Sequence, residues 1–161
     1  MKNISSSIEI SEMGEERQEK EEMHNKENVE ALYKALLGQG QMDMVVKNML
    51  ASDLEWWFHG PPQCQHMMRV LTGEITLDNN GFRFEPRSIT ALGDCVIVEG
   101  WEGKAYWVHV WTVKNGLITQ FREYFNTWLV VRENKLDNMT LWQSQPRDLY
   151  RRSLPGLVLA I

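Results

Sequence analysis

His59 ends an unbroken aromatic run, Trp56-Trp57-Phe58, and a Gly60-Pro61-Pro62 break follows it at once. An imidazole at the mouth of a strand can give or take a proton near neutral pH. The second reactive candidate is Glu123. Strand alternation puts it on one face with Phe121 and Phe125. A carboxylate between two phenyl rings loses hydration, which raises its pKa unless a cation pairs with it. His59 and Arg69 are its candidate companions. A His–carboxylate pair beside apolar surface suits proton-transfer chemistry: isomerisation, dehydration or aldol-type cyclisation. The plainer alternative is a buried, architectural Glu123 held by backbone donors, Tyr106 or an arginine.

These groups need a scaffold, and the patterning supplies one. The aromatic run is apolar on both faces of its strand, which predicts cover on both sides. Val29, Leu32, Tyr33, Leu36 and Leu37 fall at helical spacing, with Gly38 as the stop. Met42, Val45, Val46, Met49 and Leu50 repeat that pattern, closed by Ser52-Asp53. Pro61-Pro62 opens a third helix with Cys64, Met67, Met68 and Leu71 on one face, stopped by Gly73. Strands are predicted over Phe82–Leu92, with Pro86 at an edge or bulge, then Cys95–Glu102, Ala105–Val113 and Leu117–Val131. Gly93-Asp94, Gly103-Lys104 and Asn115-Gly116 are the turns between them, the last a strong hairpin signal. Helices followed by a meander imply an α+β fold, with about three N-terminal helices on a curved antiparallel sheet.

Composition narrows the function classes. The chain has 161 residues, 43% of them hydrophobic, and seven tryptophans, enough for one domain with a full core. Of the formal net charge of −5, residues 1–28 contribute eight Glu against three Lys and one Arg. The remaining body is nearly neutral and has no basic stripe, a poor footing for nucleic acid. Residues 1–24, rich in Ser and Glu and lacking aromatics, are expected to form a disordered acidic tail, with the folded domain spanning 25–161. Cys64 and Cys95 fit no metal or disulfide spacing and read as reduced thiols in a cytosolic protein; no metal and no cofactor are expected. No apolar run reaches membrane-spanning length. The apolar end, Leu154–Ile161, fits a helix or a strand equally well.

Four stretches resemble one family. Asp53-Leu54-Glu55-Trp56-Trp57-Phe58-His59-Gly60-Pro61-Pro62, Trp107-Val108-His109-Val110-Trp111-Thr112-Val113 and Arg122-Glu123-Tyr124-Phe125-Asn126-Thr127 are similar to plant wound-induced protein 1 and its relatives, as is Leu154-Pro155-Gly156-Leu157-Val158-Leu159-Ala160-Ile161. That family lies in the SnoaL-like group with the nuclear transport factor 2-like cone fold. The resemblance covers roughly residues 28–161 and implies a pocket at the cone mouth and a dimer through the outer sheet face. It also implies a plant protein tied to wounding, senescence or stress; the expected location is the cytosol, with the nucleus as a second compartment.

Placed on that cone, the alternating residues divide into two sets. Trp56, Phe58, Met67, Arg69, Tyr106, Val108, Val110, Thr112, Phe121 and Phe125 are expected to line the pocket. Trp107, His109, Trp111, Arg122 and Tyr124 are expected to face outward into a homodimer, with His109 reading as an interface or core histidine. Enzyme relatives use chemistry that does not transfer. Ketosteroid isomerases of the fold place a carboxylate base where this chain has Phe58-His59, and an oxyanion Asp where it has Val108. The epoxide hydrolases' Asp-Arg-Asp set cannot be assembled here. The preferred reading is therefore a non-catalytic binder of a terpenoid or phenolic, assisting oxygenases of specialised metabolism. The alternative is a cofactor-free isomerase, dehydratase or cyclase using His59 and Glu123.

Overall fold

A computed structural model describes residues 4–39, 42–60, 64–74, 83–103, 105–125, 127–134, 139–146 and 158–160. Helix α1 (Ile4–Lys34) continues through a π-type turn, Ala35–Gln39, to Gly38 at φ 79°, the left-handed stop its glycine suits. It begins well inside the segment expected to be a disordered tail. Glu, Lys, Arg and Met are good helix formers, and pairs one turn apart such as Gln18 with Glu22 support the run. Glu22 also accepts a hydrogen bond from Gly93 N at 2.8 Å, which ties the acidic segment to a sheet turn. Asn25 is the first buried side chain of α1 among the described residues, followed by Val29, Leu32, Tyr33 and Leu36 on the same face.

Helix α2 (Met42–Met49) passes directly into strand β1 (Leu50–His59). Helix α3 (His66–Leu71) buries Met67, Val70 and Leu71 and is terminated by Thr72 and then Gly73 at φ 74°. Strands β2 (Pro86–Leu92), β3 (Cys95–Glu102), β4 (Ala105–Lys114) and β5 (Leu117–Phe125) form the expected antiparallel meander. β1 adds to β5 in parallel, giving the order β1-β5-β4-β3-β2. Pro86 starts an edge strand beside a register shift, where its missing N–H costs no ladder bond. Asn115 and Gly116 both have positive φ, as a two-residue I′ hairpin requires.

Two strand readings need correction. β1 is an edge strand, not a strand covered on both sides: Trp56 and Phe58 pack against the helices, whereas Trp57 is 51% exposed. The strand expected over Leu117–Val131 ends at Phe125, where β1 offers no partner past His59. Thr127–Asn134 instead forms β6, which pairs with β7 (Met139–Pro146) and β8 (Val158–Ala160) in a separate antiparallel sheet. The apolar C-terminus is thus extended at 158–160, and the rest of it lies outside the described residues.

The decisive detail is a one-residue bulge. Next to the hairpin, Val113 pairs with Ile118, but Thr112 pairs with Gln120, so Thr119 is the extra residue on β5. From there Trp111 opposes Phe121, His109 opposes Glu123 and Trp107 opposes Phe125. Directly opposed residues share a face, so all six point to one side. Without the bulge, Val110, Val108 and Tyr106 would occupy those places. The helix-facing core accordingly contains Trp107, Trp111, Phe121 and Phe125 with Tyr33, Met67 and Phe84. A smaller cluster on the other face holds Ile97, Tyr106, Val108, Val110 and Tyr124. Gly100 allows Trp107 to lie flat: a Cβ there would sit 2.4 Å from the indole Cζ2 and 2.6 Å from the Glu85 carbonyl.

Candidate functional site

Trp107, His109 and Trp111 are fully buried inside one chain, so they are not a dimer surface. Tyr106, Val108, Val110 and Thr112, expected in the pocket, lie on the opposite face. There the Tyr106 hydroxyl donates to Glu99 at 2.6 Å, and Thr112 packs between Cys95 and Gln120. The bulge at Thr119 produces both reversals, because a one-residue slip exchanges the faces of a strand. Phe121, Glu123 and Phe125 do face the helices, as do Trp56, Phe58 and Met67. Arg122 and Tyr124 face away from them. Arg69 makes no ion pair with Glu123 among the described residues.

His59 and Glu123 do not meet. In the β1–β5 register Phe58 pairs with Glu123 and His59 with Tyr124, so the imidazole and the carboxyl emerge on opposite faces of the sheet. The His59 ring stacks on Tyr124 at 4.9 Å, nearly parallel, and burial and Arg122 push its pKa down. The expected catalytic pair is therefore not assembled.

A different set converges in the interior. The Trp111 indole N–H donates to the Tyr33 hydroxyl at 2.9 Å, and that hydroxyl lies 2.5 Å from His109 Nδ1. His109 Nε2 is 3.4 Å from Glu123 Oε1. With the Trp111 N–H on its oxygen, the phenol donates to Nδ1, which leaves Nε2–H to donate to Glu123 Oε1. Burial holds His109 well below its ordinary range and pushes Glu123 up to about 8. The Met67 backbone N–H and the Trp56 indole hold Glu123 down in part. At pH 7 the set is hence uncharged, a neutral imidazole beside a carboxylic acid. Phe84, Trp107, Trp111 and Phe121 enclose His109, with ring centres 4.6–5.9 Å away.

Three polar atoms of this wall have no hydrogen-bond partner among the described residues: Trp56 Nε1, Trp107 Nε1 and Glu123 Oε2. The Trp56 indole is near enough to Glu123 to act on its charge, yet the two do not form an aligned bond. Each such buried group costs about 1–3 kcal/mol unless something satisfies it.

Sequence reasoning missed Tyr33 and set His109 with the dimer-facing residues. Tyr33 was open to detection: it lies in the buried stripe of α1, and a buried phenol seeks a partner. Replacing Tyr33 with Phe strands His109 Nδ1 and Trp111 Nε1 together. The expected loss is about 2–5 kcal/mol of unfolding free energy in urea denaturation, with near-UV signals of the tryptophans altered.

Among the described residues no helix is long and apolar enough to cross a membrane, and no three His, Cys, Asp or Glu side chains cluster as metal ligands. A family model described as "Wound-induced protein WI12" matches residues 68–161. "Wound-induced protein 1" of Solanum tuberosum is 42% identical over 105 residues, spanning 58% of this chain and all of that protein. "Senescence associated gene 20" of Arabidopsis thaliana is 38% identical over 112 residues, again 58% of this chain and all of the relative. A solved "NTF-2 like protein of unknown function" from Burkholderia xenovorans LB400 is similar at a TM-score of 0.48 with 22% identity, covering 65% of this chain and 84% of that one. With more than half of its length matched by the family model, the chain belongs to the wound-induced protein WI12 family.

Proposed function

We propose that the chain is a non-catalytic binder that holds an aromatic or terpenoid metabolite carrying one hydroxyl or carbonyl, between the helices and the inner sheet face. The observation that carries this reading is the trio of unsatisfied atoms, Trp56 Nε1, Trp107 Nε1 and Glu123 Oε2, set in an otherwise apolar wall. Two N–H donors and a neutral carboxyl suit a single oxygen on a flat apolar body, and apolar walls with few polar anchors are usual for such ligands. A protonated Glu123 is no base, and neutral His109 gives its one free lone pair to the Tyr33 hydroxyl, which favours holding over proton abstraction. The names of the Solanum and Arabidopsis relatives support a setting in wounding and senescence for this role.

Fluorescence titration with 1-naphthol and naphthalene tests the reading. The unmodified protein should bind naphthol about ten-fold more tightly, and Trp56→Phe, which keeps the ring and removes the N–H, should erase that preference. Equal binding of the two probes, or an unchanged preference in Trp56→Phe, would contradict it. So would conversion of a metabolite co-purifying with the protein, because turnover belongs to an enzyme.

A further inference from the structure

The outer face of the sheet carries a second group of unsatisfied atoms that the interior site does not use. Arg122, His59 and Tyr124 occupy neighbouring register positions on β5 and β1, with Trp57 opposite Arg122 and His59 opposite Tyr124. Arg122 Nε, His59 Nδ1 and Tyr124 OH are all shielded from solvent and make no aligned hydrogen bond among the described residues, although Arg122 lies near enough to Tyr124 to act on its hydroxyl. Tyr124 is only 1% exposed. Arg122 is partly buried and has no carboxylate within ion-pair distance among the described residues. Its shielded Nε lacks a carboxylate partner, and the guanidinium fork matches one.

We propose that this face is a binding site for a small aromatic carboxylate, its carboxyl on Arg122 and Tyr124 and its ring on Trp57. The groups around Arg122 set the charge of the ligand. His59 is neutral near pH 7, because burial and Arg122 both lower its pKa. Tyr124 remains a protonated donor, pushed up to about 12 by burial. Glu55, on the same face, is engaged by Trp57 Nε1 at 2.6 Å and Gln120 Nε2 at 3.2 Å, and its charge disfavours a second negative charge nearby. Val110, opposite Arg122 on β4, and the half-exposed Trp57 indole supply apolar surface on either side. The bound carboxylate would satisfy the three stranded atoms together.

The test uses the full chain with benzoate, acetate and inorganic phosphate, read by the 15N–1H signal of the Arg122 Nε group, which Arg122→Lys assigns. Benzoate should shift that signal saturably and bind about ten-fold more tightly than acetate. Arg122→Gln should weaken benzoate binding about ten-fold or more, and Tyr124→Phe by a smaller factor. Trp57→Ala should remove the preference for benzoate over acetate. If Arg122→Gln does not fold, the Tyr124→Phe and Trp57→Ala titrations decide. An unshifted Arg122 signal overturns the proposal, as does benzoate binding that survives Arg122→Gln in a folded protein. Phosphate binding tighter than benzoate also overturns it, since that marks a general oxyanion site. The interior variant Trp56→Phe should leave benzoate binding intact, so this site and the interior one can fail separately.

Discussion

Inserting one alanine after Thr119 is expected to abolish the native fold. The ladder admits one extra residue between the Val113–Ile118 and Thr112–Gln120 pairs, and the two-residue Asn115-Gly116 turn cannot absorb a second. With the hairpin and a one-residue bulge kept, the insertion would turn Phe121, Glu123 and Phe125 away from the helices and drive Arg122 and Tyr124 into the aromatic core. Each buried phenylalanine contributes about 1.5–3 kcal/mol, and an unpaired guanidinium in the core costs several more. Together these are comparable to the usual net stability of about 5–15 kcal/mol. Deleting Thr119 instead removes only the bulge and keeps every other β4–β5 pair. Calorimetry of the insertion variant should show no cooperative transition, whereas the deletion variant should still unfold cooperatively. An insertion variant with native near-UV circular dichroism would contradict the assigned register.

Glu123→Gln should change the pH dependence of stability more than its value at any one pH. The folded protein holds the Glu123 proton up to about pH 8, whereas the ordinary value is 4.5. Below 4.5 both folded and unfolded chains are protonated, and the group's contribution is intact. As pH rises from 4.5 toward 8, only the unfolded chain ionises, so stability falls by about 1.4 kcal/mol per pH unit. The total loss is roughly 4–5 kcal/mol across that window. His109 has the opposite sign: it stays neutral in the fold while the unfolded chain takes up a proton below about 6.5, so it costs stability as pH falls through that range. The two effects oppose each other at mildly acid pH, and Glu123 alone acts between 6.5 and 8. Urea denaturation at pH 6.5, 7.25 and 8 should therefore show a steep decline for the parent and a nearly flat profile for the glutamine variant. Parallel slopes would mean that the carboxyl is already ionised in the folded state.

Much of the architecture was legible in the residues. Gly38, Gly73, Gly93, Gly103 and Asn115-Gly116 stand at the helix stops and turns their types suggest, because positive φ favours glycine or asparagine. The stripes Val29–Leu36 and Met67–Leu71 also point inward as their spacing implies. The facing of β4 was not legible. Alternation fixes which residues share a side, but the choice of side passes from strand to strand through the register, and Thr119 carries no marker of a bulge. That single residue separates the expected pocket set, Tyr106, Val108 and Val110, from the observed inner set, Trp107, His109 and Trp111. The same limit misplaced the acid–base pair. Parallel pairing of β1 with β5 divides His59 from Glu123, and nothing local to either residue signals that pairing. The acidic N-terminal segment shows another limit. Its composition indicates poor burial, which is correct for most of residues 12–24, yet poor burial does not prevent a helix continuous with a packed one.

The central claim is that the interior wall is polar but uncharged, with His109 neutral and hydrogen-bonded to a protonated Glu123. Carbon-13 NMR of glutamate-labelled protein, assigned with Glu123→Gln, reads that carboxyl directly. The account predicts a titration midpoint near 8 for Glu123, with the His109 ring neutral and protonated on Nε2 throughout. A midpoint near the ordinary 4.5, together with a His109 ring protonated on both nitrogens at pH 7, would make the pair a buried salt bridge and contradict the account.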